Sequence, residues 1–283
     1  LARCLLREDP ASTYLLLGSL KHWRPFLPLA PELDLRRTAA LQMVLHTHSP
    51  TETLEWFSAA GFRCEDLDPD GRHVLLTCRL QAQDWGAAYA DAIALTANDL
   101  ETTPATQHFA AMTHLVQVVP EDMRPVIVNG PPLDGVSFPL ADDDAALADR
   151  RSAVRLFRAA AESALALNSP RPAEASAGFA LWLELRDPST EAEARKQLEA
   201  LLSDGDRAIA YVPFGLSFGV ALDLEAIERG LARQTALQPK GTVEIALARL
   251  ALASSQSDAV AAADYLARYR DIIVRHLNVP GVL

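Results

Sequence analysis

The stretch AIAYVPFGLSFGVALDLEAIERGLARQTALQP, residues 208–239, decides how the rest of the chain is read. Aromatic residues stand at Tyr211, Phe214 and Phe218, with Gly215 directly after the second, giving the spacing aromatic-x2-apolar-Gly-x2-aromatic. Ile227, Leu231 and Pro239 follow nine, thirteen and twenty-one residues after Phe218. Apolar positions three and four apart share one helix face, so the spacing predicts helices. A small residue such as Gly215 lets a second helix approach closely, and the bulky residue a turn later fills the groove beside it. Burial of Phe214 or Phe218 is worth roughly 1.5–3 kcal/mol each.

The pattern recurs. Shifted by 34 residues it meets Ile245, Ala248 and Leu252, then Ala261 and Tyr265; shifted back by 33 it meets Leu181, Trp182 and Leu185, then Ala194, Leu198 and Leu201. Farther upstream, Ala153, Phe157 and Ala160 fit the small-then-bulky helix, and Ala88, Ala92 and Leu95 fit it more loosely. This periodicity resembles the tetratricopeptide repeat, a helix–turn–helix unit of about 34 residues with the signature W-x2-L-G-x2-Y, A-x3-F and Pro. The family's Trp is missing, and Gln234 and Arg268 occupy small-residue positions. The resemblance is best over residues 175–273. It implies an all-α fold of helical hairpin repeats stacked as a tetratricopeptide-like α-solenoid, because a lone hairpin cannot cover both of its faces. It also implies a concave groove lined by Phe179, Leu183 and Arg186, then Val212, Leu216 and Gly219, then Ala246, Leu250 and Ala253. These residues are mainly apolar and lack the Lys and Asn with which some relatives grip a carboxylate tail. A groove of this kind suits a protein or peptide partner, such as an amphipathic helix. The alternative is that the same side chains pack against one another.

Composition agrees with a helical chain. Of 283 residues, 49% are hydrophobic and about a third are Ala or Leu, the strongest helix formers, while Gly numbers only 13. The best strand candidate is the short run Val126-Ile127-Val128, between Pro125 and Asn129-Gly130-Pro131-Pro132. The formal charge of −11 argues against a sequence-independent nucleic-acid binder, which needs a basic surface. No stretch reaches the ~18 uninterrupted apolar residues of a membrane span. Three cysteines are too few for a disulfide scaffold, so a reducing, cytoplasmic setting is expected. The first residue is Leu, which suggests a piece of a longer protein.

Along the chain, helices are expected at 12–21, 33–46, from Ser49-Pro50-Thr51-Glu52 to Gly61, at 74–81, 84–97 and 106–118, and from Asp142-Asp143-Asp144 to about Leu167. Residues 120–141 carry five prolines and read as one long irregular segment. The resulting division is divergent N-terminal helical repeats (1–119), a Pro-rich connecting loop (120–141) and C-terminal tetratricopeptide-like repeats (142–283).

Two motifs carry possible chemistry. Gly215-Leu216-Ser217-Phe218-Gly219 matches G-x-S-x-G, the nucleophile elbow of a serine hydrolase, in which a strand-to-helix bend exposes the serine. Ala208–Val212 would have to be that strand, and His276 is the only downstream histidine. Asp66, Asp68 and Asp70 with Gly71 copy the start of a calcium loop, D-x-D-x-D-G, but its twelfth position is Thr77 instead of a bidentate Glu. A turn built from Asp, Pro and Gly explains the same residues. His46 and His48, His108 and His114, and Cys64 and Cys78 lack metal-ligand spacing. There is no P-loop or G-x-G-x-x-G, so no cofactor is expected. The reading is a non-catalytic binding scaffold or sensor region, with the Ser217 hydrolase as its rival.

Overall fold

The computed structural model describes residues 49–59, 63–128, 139–203 and 208–277, and every regular element among them is helical. The helices expected at 12–21 and 33–46 lie outside the described residues. α1 (Pro50–Ala59) opens on a capping box: Glu52 N–H donates to Ser49 Oγ at 3.2 Å, and Ser49 N–H donates to Glu52 Oε2 at 2.7 Å. α2 (Pro69–Gln81) and α3 (Trp85–Ala97) start from Asp68 and Asp84, whose carboxylates accept from the backbone of Gly71 and Ala87. α4 spans Pro104–Val118.

Val126-Ile127-Val128 is not a strand. After a 3-10 turn at Glu121–Met123, the short helix α5 (Arg124–Ile127) takes in its first two residues, and no strand occurs among the described residues. Pro125 sits in the opening turn of α5, where its missing N–H leaves no helical bond unmade. The start of the 120–141 segment is therefore helical, and residues 129–138 lie outside the description. α6 (Asp144–Ala166) and α7 (Pro170–Glu184) follow, then α8 (Glu191–Leu202), α9 (Ala208–Ser217), α10 (Leu224–Leu237), α11 (Val243–Ser255) and α12 (Ala259–Leu277).

Five helices end in the same way. Gln83, Asp99, Asn168, Gly219 and Ser257 adopt φ of 61°, 47°, 54°, 63° and 57°. In each case the next N–H reaches back to the carbonyl five residues before it: Asp84 to Arg79, Leu100 to Leu95, Ser169 to Ala164, Val220 to Gly215 and Asp258 to Ala253. This is the Schellman motif, which satisfies carbonyls orphaned by the helix end.

The fold divides into two compact units. One contains the described residues through Gln117 together with Ala159–Ala173; the other contains Val118–Arg158 and the residues from Glu174 onward. In the first, α2 packs on both α1 and α3, burying Phe57, Leu76, Leu80, Ala88 and Ala92. Arg72 is itself buried, and its guanidinium donates to the carbonyls of Cys64 at 3.2 Å, Glu101 at 2.6 Å and Glu65 at 3.4 Å. Those bonds replace lost hydration, without which a buried charge is costly.

In the second unit, Phe157 of α6 stacks on Phe179 of α7 with centroids 4.9 Å apart, while Arg158 bonds Glu184 and Gln197. The helices α8, α10 and α12 begin at 191, 224 and 259, recurring every 33 to 35 residues. α9 packs on α8 and on α11, and α11 packs on α12. One cluster gathers Ile209 and Val212 of α9, Ile227 and Leu231 of α10, Ile245, Ala248 and Leu252 of α11, and Tyr269 and Ile273 of α12. Gly215 marks the close approach expected of it: a Cβ there would lie 2.7 Å from Leu222 Cδ2 and 2.9 Å from Leu202 Cδ1.

Candidate functional site

The structure distributes the expected groove residues unevenly. Phe179, Leu183, Val212, Ala246 and Ala253 are buried. Leu216 and Leu250 are half-buried and pack on the α9–α12 cluster. Gly219 is exposed and serves as the left-handed residue that ends α9. Val212, Leu216, Ala246 and Leu250 thus share one packed cluster. Arg186 is different: it lines an open cleft of about 580 Å³.

That cleft is built from two pieces of chain. The first is the start of α6 and the residues before it. Asp143 caps the helix by accepting from Ala146 N–H at 2.9 Å, which fixes the register that follows. Leu147, Arg150 and Arg151 then fall at i, i+3 and i+4, one face of the helix, and line the cleft with Leu140 and Asp142. The second piece is the turn after α7, contributing Arg186, Asp187, Pro188 and Ser189. Asp187 Oδ1 accepts from Ser189 N–H at 2.9 Å and from Ser189 Oγ–H at 2.7 Å, a local Asx-type turn.

Its electrostatics are set by three guanidinium groups. Arg186 lies over the Trp182 ring, 5.2 Å from the centroid, an attraction that holds the fork in place. Burial, and then the charge of Arg150, bring its pKa below the ordinary arginine value. Arg150 donates through Nη2 to the Ala141 carbonyl, while its Nε–H is buried with no hydrogen-bond partner among the described residues. Arg151 is exposed. None of the three forms an ion pair with a carboxylate among the described residues. Asp187, which lines the same cleft, accepts both hydrogen bonds from Ser189; those bonds, helped by Arg151 and Arg150, hold its carboxyl below the usual range. Sequence reasoning named Arg186 and missed Arg150 and Arg151. The adjacent Arg pair is visible in the sequence, but nothing there shows which basic side chains lack a carboxylate partner.

The other candidate motifs resolve into local structure. Ala208–Val212, needed as a strand for a nucleophile elbow, is the first half of α9, and Ser217 closes that helix. Ser217 Oγ–H donates to the Pro213 carbonyl at 2.7 Å. The two glycines of G-x-S-x-G serve helix packing (Gly215) and helix termination (Gly219). In the D-x-D-x-D-G stretch, Asp66 accepts from Arg63, Asp68 caps α2, and α2 already begins at Pro69 inside the would-be loop. Among the described residues no three His, Cys, Asp or Glu side chains gather as a metal site. Burial pushes the thiols of Cys64 and Cys78 up to about 12 and about 11, which keeps them protonated and weakly nucleophilic at neutral pH. No described helix is long and apolar enough to cross a membrane.

Compared with known proteins, the chain matches no family model, no curated protein and no solved structure.

Proposed function

We propose that this chain is a non-catalytic binding scaffold whose tetratricopeptide-like hairpins stack as an α-solenoid and present a surface to a protein or peptide partner. One observation carries the reading: α9 packs on α11, its counterpart in the next hairpin, and the second helices recur every 33 to 35 residues. Elements that stack by translation extend a surface in one direction, and such surfaces accommodate extended partners. The surface offered to that partner is the cleft containing Arg186, an open feature of the chain, whereas Val212, Leu216, Ala246 and Leu250 of the apolar stripe pack into the α9–α12 cluster. Selection of a random peptide phage library on the immobilised chain tests the proposal. An enriched sequence family that binds as free synthetic peptide, with micromolar or tighter affinity, supports it. Selection that yields no common sequence after repeated rounds removes it.

A further inference from the structure

The scaffold reading leaves open what the partner must contribute. Among 37 acidic and 26 basic residues, a basic side chain has ample opportunity to find a carboxylate, and Arg79, Arg158, Arg195 and Arg229 all do so. Arg150, Arg151 and Arg186 meet at one cleft without doing so among the described residues. We propose that this cleft binds an acidic segment of a partner protein, taking a carboxylate on the three guanidinium groups and a neighbouring apolar side chain against Leu140, Leu147 and Pro188. The proposal rests on the scaffold reading and deepens it.

Three observations support it beyond the missing ion pairs. The first is preorganisation: Trp182 holds Arg186 and the Ala141 carbonyl holds Arg150, so both forks are fixed before a ligand arrives. The second is an unmet hydrogen bond. Arg150 Nε–H is buried and has no hydrogen-bond partner among the described residues, a condition that native proteins usually avoid. The third is the choice of anion. Planar guanidinium forks match carboxylate and phosphate alike, but the lining also holds Asp142 and Asp187, so three positive charges face two negative ones. That residual charge suits a singly charged carboxylate better than a phosphate dianion. The apolar residues of the lining, moreover, have no counterpart on a bare phosphate.

The test is fluorescence anisotropy with the full chain and two fluorescein-labelled peptides, ELELEL and QLQLQL, with inorganic phosphate as competitor. ELELEL is expected to bind at least about tenfold more tightly than QLQLQL, which has no carboxylate to offer, a difference set by charge-assisted hydrogen bonds. Arg151→Gln is expected to weaken ELELEL by about tenfold at an unchanged melting temperature, since Arg151 is exposed and makes no hydrogen bond among the described residues. The triple Arg150→Gln, Arg151→Gln, Arg186→Gln variant is expected to lose the difference between the peptides. Equal binding of both peptides, undiminished binding by the triple variant, or displacement by sub-millimolar phosphate would overturn the inference, the last by making the site one for small oxyanions. A non-acidic family from the phage selection that the triple variant binds as well as the original chain overturns the inference alone and leaves the scaffold standing.

Discussion

Gly241 shows how one residue can couple a turn to a core. It adopts φ of +79° between α10 and α11, and its N–H donates to the Gln238 carbonyl at 2.8 Å. A Cβ at this position would lie 2.6 Å from Tyr269 Cε1 and 3.1 Å from Cδ1. Tyr269 is buried in the α9–α12 cluster and its ring is rigid, so it cannot yield as the ends of Leu202 and Leu222 can beside Gly215. Left-handed backbone adds a cost of about 1–2 kcal/mol for any residue with a Cβ. Gly241→Ala should therefore destabilise the chain by roughly 2–4 kcal/mol, combining that strain with overpacking. Gly215→Ala should cost less, because flexible leucine methyls face it and Ala is the better helix former. Urea unfolding of the two variants checks the order; equal midpoints would show that the Tyr269 contact is not rigid.

Helix ends are where sequence and structure part most instructively. Four of the five Schellman turns place a non-glycine residue in the left-handed region: Gln83, Asp99, Asn168 and Ser257. A glycine there removes the Cβ penalty but gives the unfolded chain more freedom, so the net gain is a fraction of the penalty. Gln83→Gly and Ser257→Gly should each stabilise by about 0.5–1 kcal/mol; a lower melting temperature for both variants would contradict the assignment of these turns. The same residues explain what was legible. The short turn between α2 and α3 and the reach of α6 are readable, because Asp84 and Asp143 of the run Asp142-Asp143-Asp144 are caps with a sequence signature. The sequence predicts α2 from Val74, five residues after its first residue Pro69, because Asp68-Pro69-Asp70-Gly71 looks like an independent turn when it is a cap and a first helical turn. Small-then-bulky spacing located buried positions well: Ala153, Phe157 and Ala160, like Ala194 and Leu198, are all in the core. It could not tell a groove-facing position from a buried one, since Val212 and Ala246 carry the same apolar side chains in either place. The arginine cleft was illegible for a related reason. It joins Arg150 and Arg151 to Arg186, which lies 35 or more residues farther along the sequence and meets them only in the folded chain.

At the scale of the whole chain, acid sets two effects against each other. A formal charge of −11 means that carboxylate protonation relieves self-repulsion as pH falls. Against this stand two histidines of α2 and α4 that share Phe109: His73 stacks on its ring at 5.2 Å, and His108 meets it edge-on at 5.4 Å. Burial, and then the charge of His73, hold the His108 imidazole down at about 4. Burial also lowers His73, partly offset by Asp70. The sign follows from proton uptake. Above the ordinary histidine value of about 6.5, both folded and unfolded chains carry neutral imidazoles and stability is unaffected. Between about 6.5 and about 4 the unfolded chain takes up a proton at residue 108 that the folded chain refuses, so stability falls as pH falls. Each pH unit in that window is worth up to about 1.4 kcal/mol, and partial exposure of His108 reduces the whole effect to about 1–2 kcal/mol. The histidine term should win near pH 5, where most carboxylates are still ionised and repulsion has barely relaxed. Denaturant unfolding at pH 7.0 and pH 5.0 should accordingly show the wild-type chain losing stability while His108→Phe loses about 1 kcal/mol less. Parallel losses in the two chains would mean that His108 accepts its proton in the folded state and that the shielding attributed to α2 and α4 is absent.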